Sequence, residues 1–137
     1  MGPHEFLNNY LHEVSGTTFQ WGVHDCFTFT NGAFKAMYGK GWADDWSGRY
    51  LRDGVPLGPR NLKKEFGWNT MEEGLDTKLA RLGPYPPRGA LVTTAHAKRW
   101  VTGSALGVCV GDRCAFLGYN ELIYLPITLI NGAWGKE

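Results

Sequence analysis

The 137-residue chain carries a net charge of +1 and is 43% hydrophobic. That length suits one domain able to bury its own core without disulfides or metal. It has no run of basic residues, which counts against nucleic acid as the main partner, and no apolar run long enough for a membrane span. Nineteen Gly and seven Pro point to short elements joined by tight turns.

The N-terminus, Met1 to Glu5, has neither the basic start nor the apolar run of a secretory signal, so synthesis and retention in a cytoplasm, or export without a signal, are expected. Leu7, Tyr10, Leu11 and Val14 recur at helical spacing behind Pro3 and predict a helix over residues 4–14. A loop through Trp21 and Gly22 then leads to Asp25, a good helix N-cap. From Cys26, the apolar positions Phe27, Phe29, Ala33, Phe34, Met37 and Tyr38 predict a largely buried helix closed by Gly39. Cys26 would sit in its first turn, where free backbone N–H groups favour a thiolate.

Residues 40–58, with Trp42, Trp46 and Tyr50, read as an insertion holding a short helix. Their aromatics suit either a core or a docking patch. Arg49 and Arg52 have Asp44, Asp45 and Asp53 as nearby ionic partners. Pro59 and Gly67 bracket a short helix. Thr70 with Glu73 forms a capping box for another, which Leu75, Leu79 and Leu82 extend to Gly83. After the rigid link of Pro84, Pro86 and Pro87, β-prone runs follow at 91–94, 105–110, 114–117, 122–125 and 127–130. Helices first and an antiparallel meander after them make an α+β domain over residues 1–137, helical over about 1–83 and stranded over about 88–134. Cys109 and Cys114 flank the turn signal Gly111-Asp112 and read as small buried side chains of adjacent strands. Three cysteines at these spacings do not make a zinc site, and no cofactor is expected.

Trp21-Gly22-Val23-His24-Asp25-Cys26 opening a buried helix resembles the nucleophile segment of the NlpC-type, papain-like cysteine hydrolases. Pro87-Arg88-Gly89-Ala90-Leu91-Val92 resembles their Pro-x-Gly-Asp-Leu-Val strand. Gly103-Ser104-Ala105-Leu106-Gly107-Val108 with Gly111-Asp112 resembles their Gly-x-His-Val-Gly-Ile strand and turn. The resemblance implies N-terminal helices packed on a small antiparallel sheet or half-barrel, with Cys26 as the candidate nucleophile. It also implies that Ala105 stands where those enzymes carry the catalytic His, and Ala90 where they carry Asp. Tyr119 or Asn120 would fall near the third polar position. His96 is the candidate displaced base, provided the hairpin register turns it towards Cys26. His24 would have to fold back over the helix start to serve. His4 and His12 read as surface residues.

The chain also resembles a group of bacteriophage tail proteins. They share the Trp-Gly-x-x-Asp-Cys opening, an Arg-Tyr motif like Gly48-Arg49-Tyr50, an Ala-Leu-Gly-Val strand, a strand like Glu121–Pro126 and a terminal Ala-Trp like Ala133-Trp134. This likeness implies a pseudoenzyme in a virion tail, made in the host cytoplasm. Its partners would be hub, distal tail or baseplate-like proteins. An active peptidoglycan peptidase or amidase used in genome entry is the first alternative. A non-catalytic module binding peptidoglycan fragments or peptides is the second, with Trp21, Asp25, Trp42, Trp46, Trp100 and Tyr119 as its candidate binding residues.

Overall fold

The computed structural model describes residues 2–97 and 103–136. Helix α1 (Pro3–Val14) begins with its proline in the first turn, where a missing N–H costs nothing, and buries Leu7 and Leu11. Helix α2 (Cys26–Tyr38) starts at a reciprocal capping box. The Thr28 N–H donates to the Asp25 carboxylate at 2.8 Å, and the Asp25 N–H donates to Thr28 Oγ1 at 2.8 Å. Gly39, at φ +86°, ends the helix in the left-handed conformation that glycine adopts most readily. Phe27, Phe29, Phe34 and Met37 are all buried. Side chains of this size contribute roughly 1.5–3 kcal/mol each when fully buried, so α2 forms because it is packed on both sides.

Residues 40–58 hold a 3-10 turn at Asp44–Trp46 and a hairpin of two short strands, β1 (Leu51–Arg52) and β2 (Val55–Pro56). Helix α3 (Pro59–Phe66) ends at Gly67. Helix α4 begins at its Thr70 cap but covers only Met71–Asp76. The predicted continuation to Gly83 is instead strand β3 (Ala80–Leu82), which pairs with β8 (Gly132–Gly135). Apolar periodicity over 75–82 loses here to strand pairing, and Asp76 pins the switch by accepting hydrogen bonds from the Trp134 indole at 2.8 Å and from Arg81 at 2.9 and 3.1 Å.

The remaining strands are β4 (Leu91–Thr94), β5 (Ala105–Cys109), β6 (Arg113–Leu117) and β7 (Leu122–Pro126). They form the expected antiparallel meander, and the full six-stranded order is β3-β8-β4-β5-β6-β7. Residues 127–130 are not a strand as expected. Ile127–Leu129 is a 3-10 turn that carries the chain back to place β8 between β3 and β4. The architecture is therefore α+β with an antiparallel sheet, and the sheet recruits β3 from before the proline link.

Alternation along the strands divides the core in two. Leu91, Leu106, Val108, Ala115, Leu117 and Trp134 share one cluster with α1, α2 and the Trp42–Trp46 segment. Val92, Ala105, Cys109, Cys114, Phe116 and Ala133 form a smaller cluster on the opposite face, beneath Leu125, Ile127 and Ile130. Among the described residues no helix is long and apolar enough to cross a membrane.

Candidate functional site

The segment before α2 is a tight knot held by Asp25. His24 N–H donates to Gln20 C=O at 2.8 Å, and Gln20 N–H donates to His24 C=O at 2.9 Å. Gly22 turns the loop at φ +82°, and a Cβ there would lie 2.5 Å from Leu51 Cδ1. Its N–H donates to Asp25 Oδ2 at 2.7 Å. The Tyr50 hydroxyl donates to the same oxygen at 2.5 Å. Asp25 is fully buried, so its charge is held by donors rather than by water: the N–H groups of Gly22 and Thr28 and the hydroxyl of Tyr50. Burial and the adjoining carboxylate together push the Tyr50 phenol far above its ordinary range, so it remains a donor.

Cys26 lies in the first turn of α2, as expected, but is only 2% exposed. Burial pushes its thiol up to about 12, and the Asp25 charge adds to this. The backbone N–H groups of Leu106, Cys26 and Phe27 pull the other way and lose. At neutral pH the sulfur is a thiol, so desolvation outweighs the helix start that would favour a thiolate.

The strand group beside this sulfur is the backbone N–H of Leu106. Ala105 points into the other cluster, on the far face of the sheet. Residue 105, where the resemblance places the catalytic His, therefore turns its side chain away from the cluster that holds Cys26. Leu106 and Val108 have the bulk to fill the space against α2, whereas Ala105, Gly107 and Cys109 are small. A Cβ on Gly107 would come within 2.5 Å of the Ala115 carbonyl, which fixes that narrow side of β5 against β6.

His96 lies beyond the end of β4 and is exposed; the cross-strand partner of Ala105 is Thr94. No hydrogen bond or ionic contact joins His96 to Cys26 among the described residues. His24 is 7% exposed, and its Nε2 has no hydrogen-bond partner. Burial lowers its pKa below the usual imidazole value, against the opposing pull of Asp25. Thr93, opposite Leu106 on the helix-facing side, also has an unpartnered buried hydroxyl. Strand alternation starting from Leu91 would have pointed to Thr93 and away from Ala105.

The aromatic residues divide sharply. Trp42 and Trp46 are 6% and 4% exposed, so of the two readings open for them, core and docking patch, the structure gives the core. They meet Phe27 and one another in edge and stacked contacts, and the Trp42 indole donates to Thr30 Oγ1 at 3.1 Å. Trp21 is half-buried, with its ring edge-on to Phe19. Tyr119 is 70% exposed in the turn after β6, and its carbonyl accepts the Phe19 N–H at 2.6 Å. Trp100 lies outside the described residues. The ion pairs also differ from expectation: Arg49 pairs with Glu65 over the Phe66 ring, and Asp45 pairs with Lys78. Of two surface grooves, of about 380 and 330 Å³, the second is lined in part by Trp42, Asp45 and Lys78, and neither touches Cys26, His24 or His96. Among the described residues, no cluster of three or more His, Cys, Asp or Glu side chains could hold a metal.

A family model described as a domain of unknown function, DUF6950, matches residues 3–135. The chain belongs to the DUF6950 family. No curated protein matches it. In this DUF6950 domain the Trp-Gly-x-x-Asp-Cys and Arg-Tyr motifs meet physically, because Tyr50 closes the hydrogen-bond set of Asp25. Their meeting point is a structural lock. The DUF6950 chain has a cysteine at a helix start, but that sulfur is sealed from water.

Proposed function

We propose that this DUF6950 domain is a structural or assembly component of a bacteriophage tail or tail tip. On this reading it is built on a papain-like, NlpC-type scaffold that no longer hydrolyses. The observation carrying the proposal is the state of Cys26: buried, protonated and hydrogen-bonded by the Leu106 backbone N–H. A cysteine hydrolase needs a reachable thiolate and a base that later protonates the leaving amine. A buried thiol held by backbone N–H groups has neither. The motif residues shared with tail proteins hold the loop, α2 and the 40–58 segment together, as a rigid building block requires. Large apolar side chains left exposed, such as Tyr85 and Tyr119, suit contacts with other tail proteins.

The test is to express the protein during phage infection and purify the particles. The protein should be recovered in assembled tails in fixed proportion to the other tail proteins. Recovery only as free protein in the lysate would overturn the proposal. Incubation with peptidoglycan fragments is a second arm. Products formed by the wild type and lost in Cys26→Ala would restore the peptidase reading.

The close approach of the Phe19 and Tyr119 backbones favours a second reading, a shallow peptide-binding surface around Trp21 and Tyr119. Titration calorimetry with muropeptides tests it, and absence of heat would remove it.

A further inference from the structure

Cys109 and Cys114 are directly opposed across the β5–β6 hairpin. The Val110 N–H donates to Arg113 C=O at 2.9 Å, so residues 110 and 113 form the hydrogen-bonded pair next to the Gly111-Asp112 turn. The Cys109 N–H turns the other way and donates to Ala90 C=O of the neighbouring chain segment at 2.8 Å. Residues 109 and 114 are therefore a non-hydrogen-bonded pair. In such pairs the Cα atoms stand about 4.5 Å apart and the side chains lean together on one face. That spacing lies inside the window a disulfide requires. Both thiols are free and share the same apolar cluster, on the side of the sheet away from Cys26.

The two sulfurs are not equivalent. The Cys114 thiol hydrogen-bonds to Cys109, which draws the Cys109 pKa down against the effect of burial. The Gly111 backbone and the charge of Arg88 help, and the Arg88 guanidinium is anchored by donating to Val110 C=O at 2.7 Å. The same hydrogen bond and burial push Cys114 up. Cys109 Sγ also donates to Gly111 C=O at 3.3 Å and to Pro86 C=O at 3.7 Å, so the pair sits in one hydrogen-bonded set in which Cys109 is the sulfur easier to ionise. Both thiols are themselves buried, so exchange with a small disulfide requires transient opening of the hairpin at its exposed tip, Gly111, Asp112 and Arg113.

The geometry points to a two-electron redox site in this hairpin, in which Cys109 and Cys114 close a reversible cross-strand disulfide by exchange with a small-molecule disulfide. The Cys109 thiolate attacks one sulfur of that disulfide, forming a mixed disulfide and releasing one thiolate, which takes up the proton Cys109 lost. Cys114 then gives up its proton and attacks the Cys109 sulfur, displacing the second thiolate, which is protonated in turn. In sum, two protein thiols and one small disulfide become one protein disulfide and two small thiols. Closure would staple the β5–β6 turn without involving Cys26.

The experiment treats the folded full chain with oxidised glutathione, alkylates the remaining thiols and digests with trypsin. Cleavage after Arg113 places the two cysteines in separate peptides unless a disulfide joins them. The expected result is the joined pair, with Cys26 alkylated only after unfolding, and reversal by dithiothreitol. Cys114→Ser should stop at a glutathione adduct on Cys109, and Cys109→Ser should slow modification of Cys114 by at least about tenfold. Separate peptides from oxidised wild type would overturn the proposal, whether their thiols were free or capped with glutathione. So would a joined pair that forms only in denaturant, which would reflect the unfolded chain. The wild-type digest decides the matter even if a variant fails to fold.

Discussion

The Tyr50 hydroxyl donates a 2.5 Å hydrogen bond to Asp25 Oδ2, joining the 40–58 segment to the cap of α2 across 25 residues of sequence. The same oxygen accepts the Gly22 N–H, so one buried carboxylate organises three stretches of chain. Tyr50 also packs edge-on to Phe27, which adds a hydrophobic reason for the segment to stay closed.

Removing that hydroxyl should cost more than an average hydrogen bond, because it leaves a buried carboxylate short of a donor. Tyr50→Phe is expected to destabilise the fold by about 1–3 kcal/mol in urea denaturation. Asp25→Asn should cost a similar amount, and the double variant should cost less than the sum of the two. Strict additivity would show that the two groups do not interact in solution.

Gly22→Ala should be destabilising for two separable reasons. One is backbone strain at φ +82°, about 1–2 kcal/mol for a residue with a Cβ. The other is the clash with Leu51 Cδ1. Adding Leu51→Ala should recover the steric part and leave the backbone part. Thermal melts of the single and double variants measure both.

Cys26 predicts an alkaline dependence of stability. Its pKa is near 9 when unfolded and about 12 when folded, so the folded state favours the protonated form. This contribution is fully present below pH 9 and is lost as pH rises from 9 towards 12, where the unfolded chain ionises first. Between those values the wild type should lose up to about 1.4 kcal/mol per pH unit from this group. Cys26→Ala should lack that component of the slope, although it will be less stable at neutral pH. Parallel slopes for the two proteins between pH 9 and 11 would refute the assignment.

Burial separates the aromatics by their energetic weight. Trp46→Ala should cost about 3–5 kcal/mol through the cavity it leaves among Phe27, Trp42, Phe66 and Trp68. Tyr85→Ala, at a side chain 85% exposed, should stay within about 0.5 kcal/mol of the wild type. Chemical denaturation midpoints distinguish the two.

Local chemistry was legible in the sequence wherever one segment suffices to determine it. The Asp25 cap and its Cys26 helix start, the Gly39 and Gly67 stops, the Pro59–Phe66 helix and the turn between Cys109 and Cys114 all follow from backbone groups satisfied within a few residues. Those same rules led to an α+β chain with its helices before its meander. Contacts distant in sequence decided the rest. Strand β3 replaced the second half of a predicted helix because β8 was there to pair with it, and β8 could arrive only because residues 127–129 turn instead of extending. Whether Trp42 and Trp46 are core or surface depends on what folds over them. Whether residue 105 or 106 turns towards the cluster that holds Cys26 is a choice of register, and a strand's period of two makes each one-residue step reverse every side chain. That step was decided by which face of β5 could fill the space against α2, a fact about packed volume that no single stretch of the chain contains.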